Sequence, residues 1–145
     1  MLIGDILNLK GGAIYSIEPS ARLTAAVDLM VTHDIGSLVV TAGDDMVGML
    51  TFREVLRALQ QGGGSLAELR ACDAMVADPV CGTPSQTLDE MRALMTRHHV
   101  RYLPVKDGDR LLGIVSFHDV AKAVIKETSM ENRLLKRYIE KSPEA

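Results

Sequence analysis

Apolar residues recur along this chain in two orders that alternate twice. Leu23, Ala26, Val27 and Met30 fall on one face of a helix, and Leu88, Met91 and Met95 do the same further on. Each set follows a Pro-Ser pair, and each pair follows a short extended stretch, at residues 13–17 and 79–83. Two apolar runs around a polar turn come next. The first pair is 37–41 and 46–50 about Ala42-Gly-Asp-Asp45, and the second is 102–105 and 110–115 about Lys106-Asp-Gly-Asp109. The Gly-Asp content of both turns is hairpin chemistry. Pro104 cannot donate to a sheet ladder, which predicts an edge or an irregularity there. A second helix is predicted to begin near Phe52 and again near Phe117. The predicted order is therefore β-α-β-β-α, twice.

The two units are copies. A shift of 65 residues lays 19–59 on 84–124 without a gap, and 14 of these 41 positions are identical, from Pro19/Pro84 to Ala58/Ala123. Neither copy is long enough to bury a good core alone, so the fold expected is a mixed α/β (α+β) pair of tandem repeats packed about a pseudo-twofold axis. Clefts between related halves are common ligand sites. Boundaries follow as repeat 1 at 1–62, a linker at 63–72, repeat 2 at 73–127, and a C-terminal helix and tail at 128–145. Gln61-Gly-Gly-Gly-Ser65 reads as a flexible joint. Residues 66–75 read as a short helix leading into repeat 2, with Gly4-Asp-Ile-Leu7 as its counterpart before repeat 1. Thr87 and Glu90 have capping-box spacing, whereas Arg22 stands where Thr87 would be, so the first helix start needs another cap. Leu134, Leu135, Tyr138 and Ile139 form an apolar stripe that needs a partner surface.

Composition narrows the function. Aromatic residues are 3% of the 145, tryptophan is absent and the formal charge is −3. Those values oppose stacking on single strands and a general nucleic-acid surface. No run approaches the ~18 apolar residues of a membrane helix, and the N-terminus lacks the pattern of a signal peptide. Cys72 and Cys81 have no metal-like spacing and read as reduced thiols, which with the rest predicts a cytoplasmic protein. His98 and His99 are adjacent on a helix end and diverge by about 100°, so they are read as C-terminal cations and no metal site is expected.

The sharpest motifs are Gly48-Met-Leu-Thr51-Phe-Arg53-Glu54 and Gly113-Ile-Val-Ser116-Phe-His118-Asp119. Their glycines permit close backbone approach. The hydroxyls fall where strand gives way to helix, a place that suits a phosphate. The carboxylates follow one turn later and can accept from both hydroxyls of a ribose. The same residues at the same spacing are also good capping boxes, and both roles stay open.

The β-α-β-β-α order, the Val100-Arg-Tyr-Leu-Pro-Val105 piece and the Gly-x-x-Thr/Ser-x-x-Asp/Glu pieces together resemble CBS domains, the cystathionine-β-synthase-type repeats. The likeness covers roughly 5–60 and 73–127, and the chain closely resembles small stand-alone bacterial proteins with one CBS pair and a C-terminal helix ending in Tyr-Ile. It implies binding of an adenosine-containing ligand (AMP, ADP, ATP, NAD(H) or S-adenosylmethionine) between the copies. It also implies a homodimer, a regulatory role toward an unknown protein in trans, and no enzymatic activity or catalytic cofactor. By the same likeness Asp119 and Ser116 hold ribose or phosphate at one site, with Arg101 and His118 as basic contacts and Val80, Cys81 and Thr83 on the adenine side. Thr51, Arg53, Glu54 and Tyr15 are their counterparts at the other. Ser37, Tyr102, Pro104 and Ile114 complete the expected lining. Two alternatives accompany this reading. One is a ligand-free dimeric scaffold with vestigial clefts, favoured at the first copy by Glu54, Arg22 and Gly36. The other is a redox response through Cys72 and Cys81.

Overall fold

The computed structural model describes residues 1–11 and 13–140. Among the described residues six helices and six strands follow in the order α1 (Ile3–Lys10), β1 (Ser16–Ile17), α2 (Leu23–His33), β2 (Ser37–Ala42), β3 (Asp45–Thr51) and α3 (Phe52–Gln61). There follow α4 (Ala71–Ala74), β4 (Val76–Ala77), α5 (Leu88–His98), β5 (Tyr102–Asp107), β6 (Arg110–Ser116) and α6 (Phe117–Glu140). No described helix is long and apolar enough to cross a membrane.

The tandem repeat is visible in the register. Ser37 pairs with Thr51 and Tyr102 with Ser116, and each hairpin carries a bulge at the same place, after Val40 and after Val105. The turn glycines Gly43 and Gly108 take φ of +62° and +61°. Glycine adopts that conformation without steric cost, which lets a two-residue turn follow the strand twist. In the first copy β1 runs parallel to β2 and β4 antiparallel to β3, giving a sheet in the order β1-β2-β3-β4. The second sheet holds β5 and β6, with a single parallel bridge from Gly82 to Val105 in place of a first strand. That bridge uses the Pro104 carbonyl, which accepts from the Gly82 amide at 2.8 Å, and the Lys106 amide, which donates to Gly82 at 2.9 Å. It requires nothing of the Pro104 nitrogen, so a proline fits in a fully buried strand position.

Core membership crosses the boundary drawn at residue 62. Ile3 and Ile6 of α1 are buried with Leu88, Met91, Met95, Leu103, Val115 and Val120, in the core of the second copy. Ala71 of α4, with Leu66, Leu69 and Met75, packs on Leu23, Met30, Leu38 and Leu50, in the core of the first. Each lead-in segment therefore serves the other copy. The backbone seals the exchange. The Leu23 amide donates to Leu69 at 2.9 Å and Ala71 to Ala21 at 2.8 Å, while Leu88 donates to Met1 at 3.1 Å and Ile3 to Gln86 at 2.9 Å. These bonds satisfy free donors at the starts of α2 and α5, which is how α2 begins without a side-chain cap at Arg22. At α5 half of the expected capping box forms, with Thr87 Oγ1 accepting the Glu90 amide at 3.1 Å.

Two connections differ from expectation. The glycine joint is a helix terminus: Gly64 donates to Leu59 at 2.9 Å and Gly63 to Gln60 at 3.3 Å, with φ of +64° at Gly63. That pair of bonds is a Schellman cap, and the glycines are needed for its left-handed turn. The helix expected over 66–75 is confined to Ala71–Ala74, because Arg70 is extended and bridges Arg22. At the other end, α6 runs unbroken through residue 128 to Glu140, so the C-terminal stripe is carried on the same helix that starts at Phe117. Leu134, Leu135, Tyr138 and Ile139 are all exposed on it.

Candidate functional site

The two hairpins bring their first residues together, and a cleft of about 550 Å³ opens there. Seven of the residues expected to contact ligand line it: Tyr15 and Ser37 from the first copy, with Arg101, Tyr102, Ile114, Ser116 and His118 from the second. Strand pairing explains part of the meeting, since Tyr102 lies opposite Ser116 where β6 passes into α6. The Phe117 amide donates to the Arg101 carbonyl at 2.7 Å, which ties the start of α6 to the start of β5. Tyr15 rests against His33, with ring centroids 4.5 Å apart, and lends the cleft an aromatic wall.

Asp119 stands directly behind Ser116. Its Oδ2 accepts the Ser116 amide at 2.8 Å, and Ser116 Oγ accepts the Asp119 amide at 3.1 Å. The motif is thus a reciprocal cap on α6. A third partner carried no local signal in the sequence. Lys10 Nζ, at the end of α1, donates to Asp119 Oδ2 at 2.7 Å and to the Ile114 carbonyl at 2.8 Å. Burial alone would raise the Asp119 carboxyl; the Lys10 hydrogen bond and charge, with the Ser116 bonds, overcome it and hold the carboxyl below its ordinary value.

The first-copy motif is placed differently. Thr51 and Glu54 form the matching cap: the Thr51 amide donates to Glu54 Oε2 at 3.0 Å, the Thr51 hydroxyl donates to the same oxygen, and Glu54 is buried. Glu54 borders a separate hollow of about 350 Å³, lined by Arg57, Gln61, Glu68 and Asp73. Arg53 reaches across to the second copy, where its Nη1 donates to the His99 carbonyl at 3.3 Å. The Tyr102 hydroxyl occupies the space in front of Gly36, the position that matches Arg101. The two sites are therefore unlike in charge and in shape.

Val80, Cys81 and Thr83 do not line the cleft that holds Ser116; Ala13, Ile14 and Tyr15 do. The extended segment at that cleft is the one from the other copy. Val80 packs against the second core, Cys81 Sγ faces the Pro79 carbonyl at 3.2 Å, and the Thr83 amide donates to Gln86 Oε1 at 2.9 Å. Burial pushes the Cys81 thiol up, against a weaker opposing effect of Lys106, which disfavours its reactive thiolate. Pro104 is buried in β5. The motif glycines also have a use other than ligand approach. Gly48 faces Met75 and Gly113 faces Leu7, so each admits a side chain of the exchanged lead-in segment.

A paired-repeat module with a cleft shared between its copies is the class that fold and site define. The chain belongs to the CBS domain family: the model of that domain matches residues 10–61 and 71–126. It is 31% identical over 109 residues to the CBS domain-containing protein YhcV of Bacillus subtilis, covering 74% of this chain and 76% of that one. A putative signal-transduction protein with CBS domains from Burkholderia ambifaria superposes with a TM-score of 0.82 at 36% identity, over 87% of this chain and 95% of that one. The same fold is found in the CBS domain pair of protein MJ0100, solved in complex with 5'-methylthioadenosine and S-adenosyl-L-methionine, with a TM-score of 0.76 at 19% identity over 88% and 98% of the two chains.

Proposed function

We propose that the cleft between the copies binds one adenosine-containing molecule and that the protein is a regulatory module without enzymatic activity. The observation that carries this reading is the placement of Ser116 and Asp119, at the start of α6, beside a 550 Å³ cleft walled by both copies. That size is within the range of small-molecule sites. Asp119 is the acceptor for ribose hydroxyls, Arg101 and His118 serve an anionic group, and Tyr15 with Ile14 forms the wall for the base. The adenosyl ligands of protein MJ0100 support the ligand class. Because the walls come from both copies, occupancy biases their relative orientation, and a partner in trans senses that change. The protein works as a cytoplasmic homodimer.

For the first-copy motif the scaffold reading is favoured, since Thr51 and the buried Glu54 satisfy one another within their cap. One bound ligand per chain is the expected stoichiometry. The test is calorimetry with AMP, ADP, ATP, NAD(H), 5'-methylthioadenosine and S-adenosylmethionine, beside mass spectrometry of nucleotide released from freshly purified, denatured protein. Absence of binding by all of them, with nothing co-purifying, defeats the ligand reading and leaves the scaffold.

A further inference from the structure

Lys10 ends α1, a helix packed on the second core, and sits 109 residues from the carboxylate it meets. Its ammonium is held by two acceptors, Asp119 Oδ2 and the Ile114 carbonyl. The oxygen it occupies already accepts the Ser116 amide. A ribose that places both its hydroxyls on Asp119 needs that oxygen as well as Oδ1, and so competes with the ammonium for it. Lys10 also lines the cleft together with Arg101 and His118, and among the described residues no Asp or Glu lines it. An ammonium released from Asp119 into that space meets the Arg101 guanidinium and the neutral hydroxyls of Ser37, Tyr102 and Ser116, and finds a new anionic partner only if the ligand brings one.

We propose that Lys10 is a displaceable latch that makes the cleft selective for phosphorylated adenosine ligands over neutral or cationic ones. Resting on the adenosyl reading above, the inference adds the ligand's charge class and the residue that sets it. While it is paired with Asp119 Oδ2, the ammonium closes that side of the ribose acceptor. When a ligand takes Asp119, the lysine chain swings about its own flexible stem and pairs with a phosphate. Neutral adenosine loses the lysine–carboxylate pair without compensation. S-adenosylmethionine adds a sulfonium to a cleft already lined by cations. A phosphate ester exchanges one ion pair for another. Lys10 is thus a specificity-determining residue, with no part in building the fold that another long side chain could not supply.

The test is titration calorimetry of the full chain with AMP, adenosine and S-adenosylmethionine, on the wild type, Lys10→Met and Lys10→Arg, each checked for folding by thermal melt. The wild type is expected to bind AMP at least about tenfold more tightly than adenosine. Lys10→Met should reduce that ratio to about threefold or less and bind adenosine more tightly than the wild type does, because the carboxylate is freed. Lys10→Arg should keep the preference. Opposite changes for the neutral and the anionic ligand are what a merely structural role would not produce. If Lys10→Met weakens both ligands equally, or leaves the ratio unchanged, the latch is wrong while the adenosyl reading stands. If Lys10→Met binds adenosine where the wild type does not, the latch is supported. If no variant binds any of the three, the latch falls, and the adenosyl reading falls with it only if ADP, ATP and NAD(H) also fail to bind.

Discussion

Leu7 fills the space in front of Gly113, with its Cδ2 2.8 Å from where a β-carbon would stand. Met75 does the same at Gly48, its Sδ 2.5 Å from that position, and the backbone carbonyl oxygen of Val76 lies 2.9 Å from the same point. The exchanged lead-in segments are thereby locked against the strands that carry the site motifs.

An alanine at either glycine must push something aside, and the cost depends on what can move. At Gly113 only the end of a leucine side chain is in the way. At Gly48 the β4 backbone, paired there through Ala77, cannot give as easily. Gly48→Ala is expected to destabilise by about 1–3 kcal/mol and Gly113→Ala by less. Urea unfolding of both variants measures the order; equal effects would count against the packing account.

Stability should also depend on Asp119 in a defined pH window. Its folded-state carboxyl is held below the ordinary value, so it binds its proton less readily than in the unfolded chain. The resulting stabilisation is present in full above the unfolded carboxylate range of about 4 and is lost as pH falls through the lower folded value. Wild type and Asp119→Asn are expected to converge in melting temperature toward pH 3 and to separate at pH 6. Parallel curves over that range would remove the linkage.

Ligand affinity should separate the two motifs. Asp119→Ala is expected to weaken adenosyl binding by about 1.5–3 kcal/mol, the loss of charged hydrogen bonds. Glu54→Ala should leave affinity nearly unchanged and instead cost about 0.5–2 kcal/mol of stability through the lost cap. Calorimetry paired with denaturation reads both quantities, and a large affinity loss in Glu54→Ala would restore a ligand role to the first motif.

The exposed stripe on α6 predicts self-association. Leu134, Leu135, Tyr138 and Ile139 are each at least 60% exposed, and a contiguous apolar face of that kind on a small protein usually finds a partner. Sedimentation at micromolar concentration should show a dimer, and Leu135→Glu with Tyr138→Glu should shift it toward the 15.8 kDa monomer. A wild type that stays monomeric at high concentration contradicts the assignment.

The repeating elements were legible because their causes are local. Periodicity at Leu23–Met30 and Leu88–Met95, turn glycines at 43 and 108, and the hydroxyl–carboxylate caps at 51–54 and 116–119 each act within a few residues, and the elements formed where these signals stood. The tandem pairing was legible too, since a gapless 65-residue offset leaves both hairpins in one register. Only the tertiary structure decided which core received which lead-in segment. Ile3 and Ile6 present an apolar face that either copy could bury, and nothing local distinguishes the two cores. The glycine run at 62–64 illustrates the same limit, because a flexible joint and a Schellman cap use identical residues and differ only in whether the following segment finds a surface to pack on. The Lys10–Asp119 pair and the placement of Tyr15 beside Ser116 follow from that exchange. An interaction spanning 109 residues has no period or spacing to betray it; it exists because the second core packs α1 and the start of α6 together.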